Sequence, residues 1–278
     1  MTAASLTGRE LATAIRAAAA VRAAELTVAG RQPRLAVVTA TDDEASAAYV
    51  RSIANAAGKE GIACDLLRTT TAAGVSATLA QLADDPEVHG VMLQTPLPEG
   101  AVLADLARAI PAGKDVDGAS PESLGRVTAG LPAFAPATAE AVLALLDYYQ
   151  VELYGRHAVV VGRSVVVGKP VAHLLLDRHA TVTIGHSRTA DLAAITRQAD
   201  VLVVAAGRAG LIGPEHVSPG ATVIDVGTNI TDDGLLAGDV DPAVAGVAAA
   251  LSPVPGGVGP VTTALLLRHV VEAAAAVG

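Results

Sequence analysis

The residues best suited to chemistry in this chain follow a run of valines. His157-Ala158-Val159-Val160-Val161 leads into Gly162-Arg163-Ser164-Val165-Val166-Val167-Gly168-Lys169-Pro170. The valine run reads as a buried strand, and Pro170 falls where the first turn of a helix tolerates a residue without an N–H. Glycines at such a turn let the backbone approach a pyrophosphate. The helix start adds free N–H groups and the positive end of its dipole. Gly162, Arg163, Ser164, Val167 and Gly168 are therefore the candidate phosphate cradle. The spacing is not G-x-G-x-x-G, and a tight strand–helix turn with no ligand is the competing explanation.

The end of the next strand bears on which dinucleotide would fit. An NAD-preferring site carries Asp or Glu roughly 20 residues on, accepting from the ribose 2′-hydroxyl. Here the strand ends in Ile184-Gly185-His186-Ser187-Arg188-Thr189, without a carboxylate at its tip. Ser187 can donate to a 2′-phosphate, and Arg188 or Arg163 can neutralise it, so the expected cofactor is NADP. His186 is the one histidine placed near a ligand. A solvated polar loop is the alternative for this segment. Two later strand exits also carry glycine, Ala205-Ala206-Gly207-Arg208 and Asp225-Val226-Gly227-Thr228-Asn229. Ala206, Gly207, Gly227, Thr228 and Asn229 complete the candidate cofactor set. Any one exit could be an ordinary turn, but four on the carboxyl edge of one sheet argue for a crevice.

These exits need a scaffold, and alternating patterns supply one. Strands are expected at Leu35–Thr39, Ala63–Leu67, Val88–Leu93, Ala158–Val161, Thr181–Ile184, Val201–Ala205 and Thr222–Val226. Helices are expected at Leu6–Leu26, Glu44–Lys59, Val75–Leu82, Ala101–Ile110, Thr138–Tyr148, Pro170–Leu176, Thr189–Thr196 and Thr262–Ala275. Strand–helix alternation implies an α/β fold with parallel sheets and right-handed crossovers. At 278 residues two domains are expected. The boundary falls near Pro132–Pro136, where the prolines break any helix. The expected division is 1–136, completed by a C-terminal helix over 262–278, and 137–261.

Composition narrows the class. There is no Trp and one Phe, Phe134, so the core is built from small aliphatics. A net charge of −9 argues against nucleic-acid binding, which needs a clustered basic face. The single Cys64, within the strand-like Gly61–Asp65, excludes an internal disulfide and reads as a small buried residue rather than a nucleophile. The seven histidines form no metal-ligand pair, and no metal is expected. Arg16, Arg22 and Glu25 make the first helix amphipathic rather than secretory, and no uncharged stretch approaches the ~20 residues of a membrane span. A cytoplasmic protein is expected.

Four segments carry a resemblance. They are Gln94-Thr95-Pro96-Leu97-Pro98, Lys114-Asp115-Val116-Asp117-Gly118, Gly162–Pro170 and Pro253-Val254-Pro255-Gly256-Gly257-Val258-Gly259-Pro260-Val261-Thr262. Together they make nearly the whole chain resemble the methylenetetrahydrofolate dehydrogenase/cyclohydrolases of folate one-carbon metabolism. The resemblance implies an N-terminal α/β folate-binding domain and a C-terminal Rossmann-type NADP-binding domain, with the folate cleft between them. It implies that Tyr49 lies against the folate, that Gln94 contacts the reacting region and that Asp117 holds the pterin ring. Pro96, Leu97, Pro255, Gly256, Gly257 and Thr262 are carried over as substrate contacts, and a homodimer through the nucleotide-binding domain is implied. Tyr49 offers a flat face with a polar tip. An ionised Asp117 could accept two N–H donors from an amino-pyrimidinone edge. Without the resemblance, Asp117 reads as a turn residue before Gly118.

The chain departs from the family at one catalytic position. The family's Tyr-x-x-x-Lys lysine, assigned to cyclohydrolase catalysis, is replaced in Tyr49-Val50-Arg51-Ser52-Ile53 by Ile53. Isoleucine can neither move a proton nor carry charge. Arg51 lies about 200° around the helix from Tyr49, and Lys59 is roughly 15 Å further along it. Neither easily substitutes. Lesser departures are Ala119-Ser120 after the Asp-Gly pair and Ala137, where many members have cysteine. Hydride transfer needs chiefly a near-attack geometry between the methylene carbon and a nicotinamide ring. The expectation is therefore NADP-dependent dehydrogenase activity with weak or absent cyclohydrolase. The alternatives are a fully bifunctional enzyme and a silent paralogue that binds folate or nucleotide.

Overall fold

A computed structural model describes residues 2–41, 43–231 and 233–277. In chain order the elements are β1 (Ala4–Ser5), α1 (Arg9–Val28), β2 (Arg34–Thr39), α2 (Glu44–Lys59) and β3 (Ala63–Arg68). Next come α3 (Ala72–Asp84), β4 (Gly90–Leu93), α4 (Leu103–Ala107), α5 (Pro121–Thr128) and α6 (Ala137–Tyr148). Then follow β5 (His157–Val161), α7 (Gly168–Asp177), β6 (Thr181–Gly185), α8 (Leu192–Thr196), β7 (Val201–Val204) and β8 (Thr222–Asp225). The chain ends with β9 (Asn229–Ile230), β10 (Leu236–Ala237), β11 (Ala250–Leu251) and α9 (Val258–Ala276). The α/β class expected from alternation is what forms.

The chain divides into two compact units: residues 13–137 with those from 263 onward, and residues up to 12 with 138–262. The first is built on a parallel three-stranded sheet, β3-β2-β4. Side chains of β2 alternate between its faces, as a strand period of two dictates. Leu35 and Val37 join a core with Ala23, Val50, Ile53, Ala57, Leu266 and Val270. Ala36 and Val38 point the other way, into Val75, Leu79, Leu82 and Ile110. Both faces are covered by helices, so β2 can be apolar and buried from Leu35 to Val38.

The second unit has a parallel sheet ordered β1-β11-β8-β7-β5-β6, plus the β9–β10 hairpin. β5 pairs with β6 on one side and β7 on the other. The chain thus winds outward from β5 in one direction, returns past it, and continues in the other. Such a reversal leaves a crevice at the carboxyl ends of the strands on either side of it. Val159, Val161, Leu202, Val204 and Val223 make one core face of this doubly wound, Rossmann-type sheet.

Several boundaries differ from the sequence reading, each for a local reason. The first helix begins at Arg9 rather than Leu6, because Ala4 and Ser5 pair with Ala250 and Leu251 as an edge strand. β4 begins at Gly90, since the His89 amide instead donates to the Arg34 carbonyl outside the ladder. The helix expected over Ala101–Ile110 contracts to Leu103–Ala107, where Val102 supplies no side-chain cap. The helix expected from Thr189 starts at Leu192, because Asp191 caps it by accepting from the Ala194 amide. Ala205 and Val226 lie one residue beyond β7 and β8. α9 starts at Val258, four residues before Thr262, with Pro260 in its first turn where no N–H is required. α5 was not anticipated, although Ser120-Pro121 is a strong start: Ser120 Oγ accepts from the Ser123 amide and Pro121 takes the first helical position. Cys64 is half-buried rather than fully buried, and burial pushes its thiol up to about 11, so it is not a thiolate near neutrality.

Candidate functional site

In the second unit the site begins at Gly162. Its φ is +128°, and a Cβ there would lie 2.1 Å from the carbonyl oxygen of Ala205. The ends of β5 and β7, the strands on either side of the winding reversal, therefore touch through a glycine. The chain then turns into α7, where a Cβ on Gly168 would lie 2.3 Å from the Gly162 carbonyl. Ser164 Oγ accepts from the Val167 and Gly168 amides at 3.2 and 3.3 Å, both long for such bonds. Part of the amide set expected to be free at this helix start is thus turned toward Ser164. Arg163 and Ser164 are exposed and Val167 is half-buried at this crevice edge.

The β6 exit presents Ser187 and Arg188 to solvent. His186 is half-buried; its amide donates to Thr189 Oγ1 and its Nδ1 accepts from the Arg188 amide. The first carboxylate downstream, Asp191, is spent on the α8 cap. Between Gly185 and Ala190 there is no Asp or Glu. A glycine cradle at a strand-order switch point and basic residues at the β6 tip fit a dinucleotide with a 2′-phosphate.

The two remaining exits are organised from below. The amides of Ala206, Gly207 and Arg208 all donate to Asp239, as does Asn229 Nδ2. The Gly227 amide donates to Asp225 Oδ1. Burial pushes the Asp225 carboxyl up to about 6, partly offset by the amides of Gly227, Asp239 and Val240. Thr228 is exposed beside this network. The Pro253–Thr262 segment packs on the start of the chain: the Gly8 amide donates to the Gly256 carbonyl, and a Cβ on Gly8 would lie 2.1 Å from the Gly257 carbonyl. Pro255 is exposed, while Thr262 Oγ1 is bonded to the Val258 carbonyl one turn earlier in α9.

In the first unit, α2 carries Tyr49, 39% exposed, and Ile53, fully buried. Burial, with the Asp117 carboxylate nearby, pushes the Tyr49 phenol up to about 12. Asp117 and Tyr49 are thereby brought together as electrostatic neighbours. Gln94 directly follows β4, with its amide donating to the Val38 carbonyl and Nε2 donating to the Thr95 carbonyl at 2.7 Å. Ser46 Oγ at the start of α2 donates to that same carbonyl, tying the helix to the Gln94–Leu97 loop. The Thr95–Pro96 peptide is cis; Pro96 is exposed and Leu97 half-buried.

Each residue of the Lys114–Gly118 motif has a distinct task. Lys114 Nζ donates to the carbonyls of Leu82, Ala83 and Asp85, closing the carboxyl end of α3. Asp115 is buried and accepts from the Ala119 and Ser120 amides. Gly118 has φ +61°, with the Ala135–Pro136 backbone where a Cβ would be. Burial first, and then the Asp115 carboxylate, push Asp117 up to about 7 against a lowering influence from His269. A carboxyl raised to about 7 gives up its proton only around neutral pH.

Sequence reasoning missed His269 and Asp239 and gave Asp115 no role of its own. His269 on α9 is buried, stacks on Phe134 at 4.7 Å and bonds the Val116 carbonyl through Nδ1. These partners lie more than a hundred positions away in sequence, so no spacing signalled them. Arg51 and Lys59 do not share the Tyr49–Ile53 face; with Arg16 they line a separate groove. Among the described residues no group of three His, Cys, Asp or Glu side chains could hold a metal ion, and no helix is long and apolar enough to cross a membrane.

Comparison with known proteins decides the family. Residues 6–117 match the catalytic domain of tetrahydrofolate dehydrogenase/cyclohydrolase, and residues 136–277 match its NAD(P)-binding domain. The chain belongs to the tetrahydrofolate dehydrogenase/cyclohydrolase family. It is 61% identical over 274 residues to "Bifunctional protein FolD 1" of Rhodococcus jostii, covering 97% of this chain and 92% of that protein. Among solved structures it is similar to the bifunctional enzyme FolD, methylenetetrahydrofolate dehydrogenase/cyclohydrolase, from Campylobacter jejuni. That match has a TM-score of 0.94 and 37% identity, and covers 98% of both chains. The Trypanosoma brucei methylenetetrahydrofolate dehydrogenase-cyclohydrolase, complexed with NADP cofactor and inhibitor, matches with a TM-score of 0.93 and 34% identity. That likeness covers 99% of this chain and 98% of the other. The doubly wound unit is thus this family's NAD(P)-binding domain, and the chain is an enzyme of folate one-carbon metabolism.

The Gly162 contact yields a comparison between two glycines. Gly162→Ala places a methyl group against the Ala205 carbonyl in a positive-φ turn and should destabilise the fold by more than about 1 kcal/mol. Gly207→Ala, at φ +64° with nothing within 4 Å of its Cβ, should cost less. Denaturant unfolding of the two variants checks this, and an equal or reversed order would contradict the packing described.

Proposed function

We propose that the chain oxidises 5,10-methylene-tetrahydrofolate to 5,10-methenyl-tetrahydrofolate with NADP as acceptor. The observation that carries this is the glycine contact at the strand-order switch point, in a unit matching the family's NAD(P)-binding domain. The absence of an acidic side chain at the β6 tip, with Ser187 and Arg188 exposed there, supports NADP over NAD. When bound, the nicotinamide ring accepts the hydride, and the two folate nitrogens flanking the donor carbon stabilise the cation left behind.

The protein's part is positioning. Gly162, Arg163, Ser164, Val167 and Gly168 would hold the pyrophosphate side of the cofactor, and His186, Ser187 and Arg188 the adenosine ribose phosphate. Ala206, Gly207, Gly227, Thr228 and Asn229 border the same crevice. Asp117 accepts from the amino-pyrimidinone edge of the pterin, Tyr49 lies along the ring system, and Gln94 meets the reacting region. Pro96 and Leu97 would add folate contacts in the same unit. The working protein is a cytoplasmic homodimer associated through the nucleotide-binding unit.

A second reading adds hydrolysis of the methenyl product to 10-formyl-tetrahydrofolate. The name "bifunctional" carried by a relative at 61% identity favours it over the weak or absent cyclohydrolase that Ile53 alone suggests. Ile53 is fully buried in an aliphatic core, so under this reading a group elsewhere handles the proton transfers. One assay separates the readings. Protein, methylene-tetrahydrofolate and NADP should yield reduced cofactor. Methenyl product accumulating at its spontaneous decay rate supports dehydrogenase alone, whereas rapid conversion to the formyl product supports both activities. No cofactor reduction, as for a silent paralogue, overturns the proposal.

The Asp117 carboxyl gives a pH signature. Near pH 6 it is mostly protonated, and a proton must leave before it accepts two N–H donors. The fraction ready to bind rises about tenfold between about pH 6 and about pH 8, so the folate KM should fall by about that factor and level off above. Asp117→Asn should weaken folate binding and flatten the profile. A folate KM independent of pH across this window in the wild type would contradict the role given to Asp117.

A further inference from the structure

We propose that Asp239 is a positioning residue for the dinucleotide: its buried carboxylate fixes the strand exits after β7 and β8 in the shape the cofactor meets. This rests on those exits bordering the NADP site. Asp239 is fully buried. Its Oδ2 accepts from the amides of Ala206 and Gly207 at 2.6 and 2.9 Å. Its Oδ1 accepts from the Arg208 amide and from Asn229 Nδ2, both at 2.8 Å. Four donors occupy the roughly four lone-pair sites of an ionised carboxylate. Three of them are consecutive backbone amides of a loop whose residues are exposed on their other side. The loop is held from beneath by charge-assisted bonds, since neither helix nor ladder pairs these amides.

Asp239 is itself held by a second carboxylate. Asp225 accepts from the amides of Gly227, Asp239 and Val240 at 2.8, 3.0 and 3.0 Å. The Asp225 amide in turn donates to Ser252 Oγ at 2.8 Å. The surroundings leave no room for side chains: a Cβ on Gly238 would lie 1.8 Å from Asp225 Oδ2, and one on Gly227 would lie 2.4 Å from the Asp239 amide. One network thus joins the β7 exit, the β8 exit, the β9–β10 hairpin and the segment after it.

A core needs no charge for stability alone, because burying a carboxylate forfeits its hydration and well-packed apolar residues often serve as well. A fully bonded carboxylate instead specifies one loop geometry, which is what a site binding by positioning requires. There is a second consequence. With the 206–208 amides turned inward, this loop meets the cofactor with its carbonyls, its Cα surfaces and the Arg208 side chain, and not with its N–H groups.

Two measurements test this, one of them independent of any variant. In the wild-type protein without ligand, the amides of Ala206, Gly207 and Arg208 should exchange with deuterium slowly despite their exposed residues. Exchange at the rate of an unstructured loop overturns the clamp. Asp239→Asn, which turns a donor-bearing amide toward the loop amides, should raise the NADP KM at least tenfold while the folate KM stays within about twofold. An activity loss that follows the folded fraction, with both KM values unchanged, would show a merely structural role and overturn the proposal. If the variant does not fold, Asn229→Ala, which removes one of the four donors, should raise the NADP KM in the same direction; no change would count against the clamp. A wild-type protein without affinity for NADP would defeat the assignment of the site, while slow exchange at 206–208 would still stand for the clamp.

Discussion

Much of the nucleotide-binding unit depends on one close approach, the carbonyl of Ala205 against the α-carbon of Gly162. β5 and β7 can bring their carboxyl ends this close only because no side chain intervenes. The same glycine turns the chain into α7, whose first residue, Gly168, leans back on the Gly162 carbonyl. At that point the winding of the parallel sheet reverses and leaves its crevice open. Sheet order, glycine placement and ligand site are therefore one constraint rather than three.

Around that contact the unit uses buried carboxylates to shape its strand exits. Asp225 and Asp239 gather amides from segments that strand pairing leaves unbonded, so the exits keep a defined shape beyond the ends of their strands. In the first unit the corresponding work falls to Lys114, which closes α3, and to Asp115, which shapes the turn presenting Asp117. Ile53 belongs to that packing. One turn from the exposed Tyr49, it lies fully within the core shared by α1, α2, β2 and α9. At this position α2 contributes to packing, on the same helix that carries Tyr49.

What the sequence disclosed follows the range of the forces involved. Valine runs and apolar periodicity are local, and β5, β7, β8 and most of α2 lie where pattern places them. Short elements depended on partners far along the chain: β1 exists because Ala250 and Leu251 offer it an edge, and no composition near Ala4 announces that. The start of α5 carries a local signal in its Ser120-Pro121 cap, but the sequence reading treats that stretch only as the loop after an Asp-Gly pair. In the site, the glycines were visible and their reasons were not. Gly227 looked like room for a ligand, yet its missing side chain makes space for Asp239. Asp239 is bonded to residues 31 to 33 positions away, beyond any motif window. The elevated Asp117 carboxyl likewise arises from burial, which a sequence does not print.

The central claim is that the crevice beside Gly162 is an NADP site whose selectivity comes from the acid-free tip of β6. Calorimetric titration of the purified protein with NADP and with NAD tests it most directly. The expected result is one NADP site per chain, at least tenfold tighter than NAD and weakened by salt as a phosphate–arginine contact should be. Equal or tighter binding of NAD, or no binding of either dinucleotide, would contradict it.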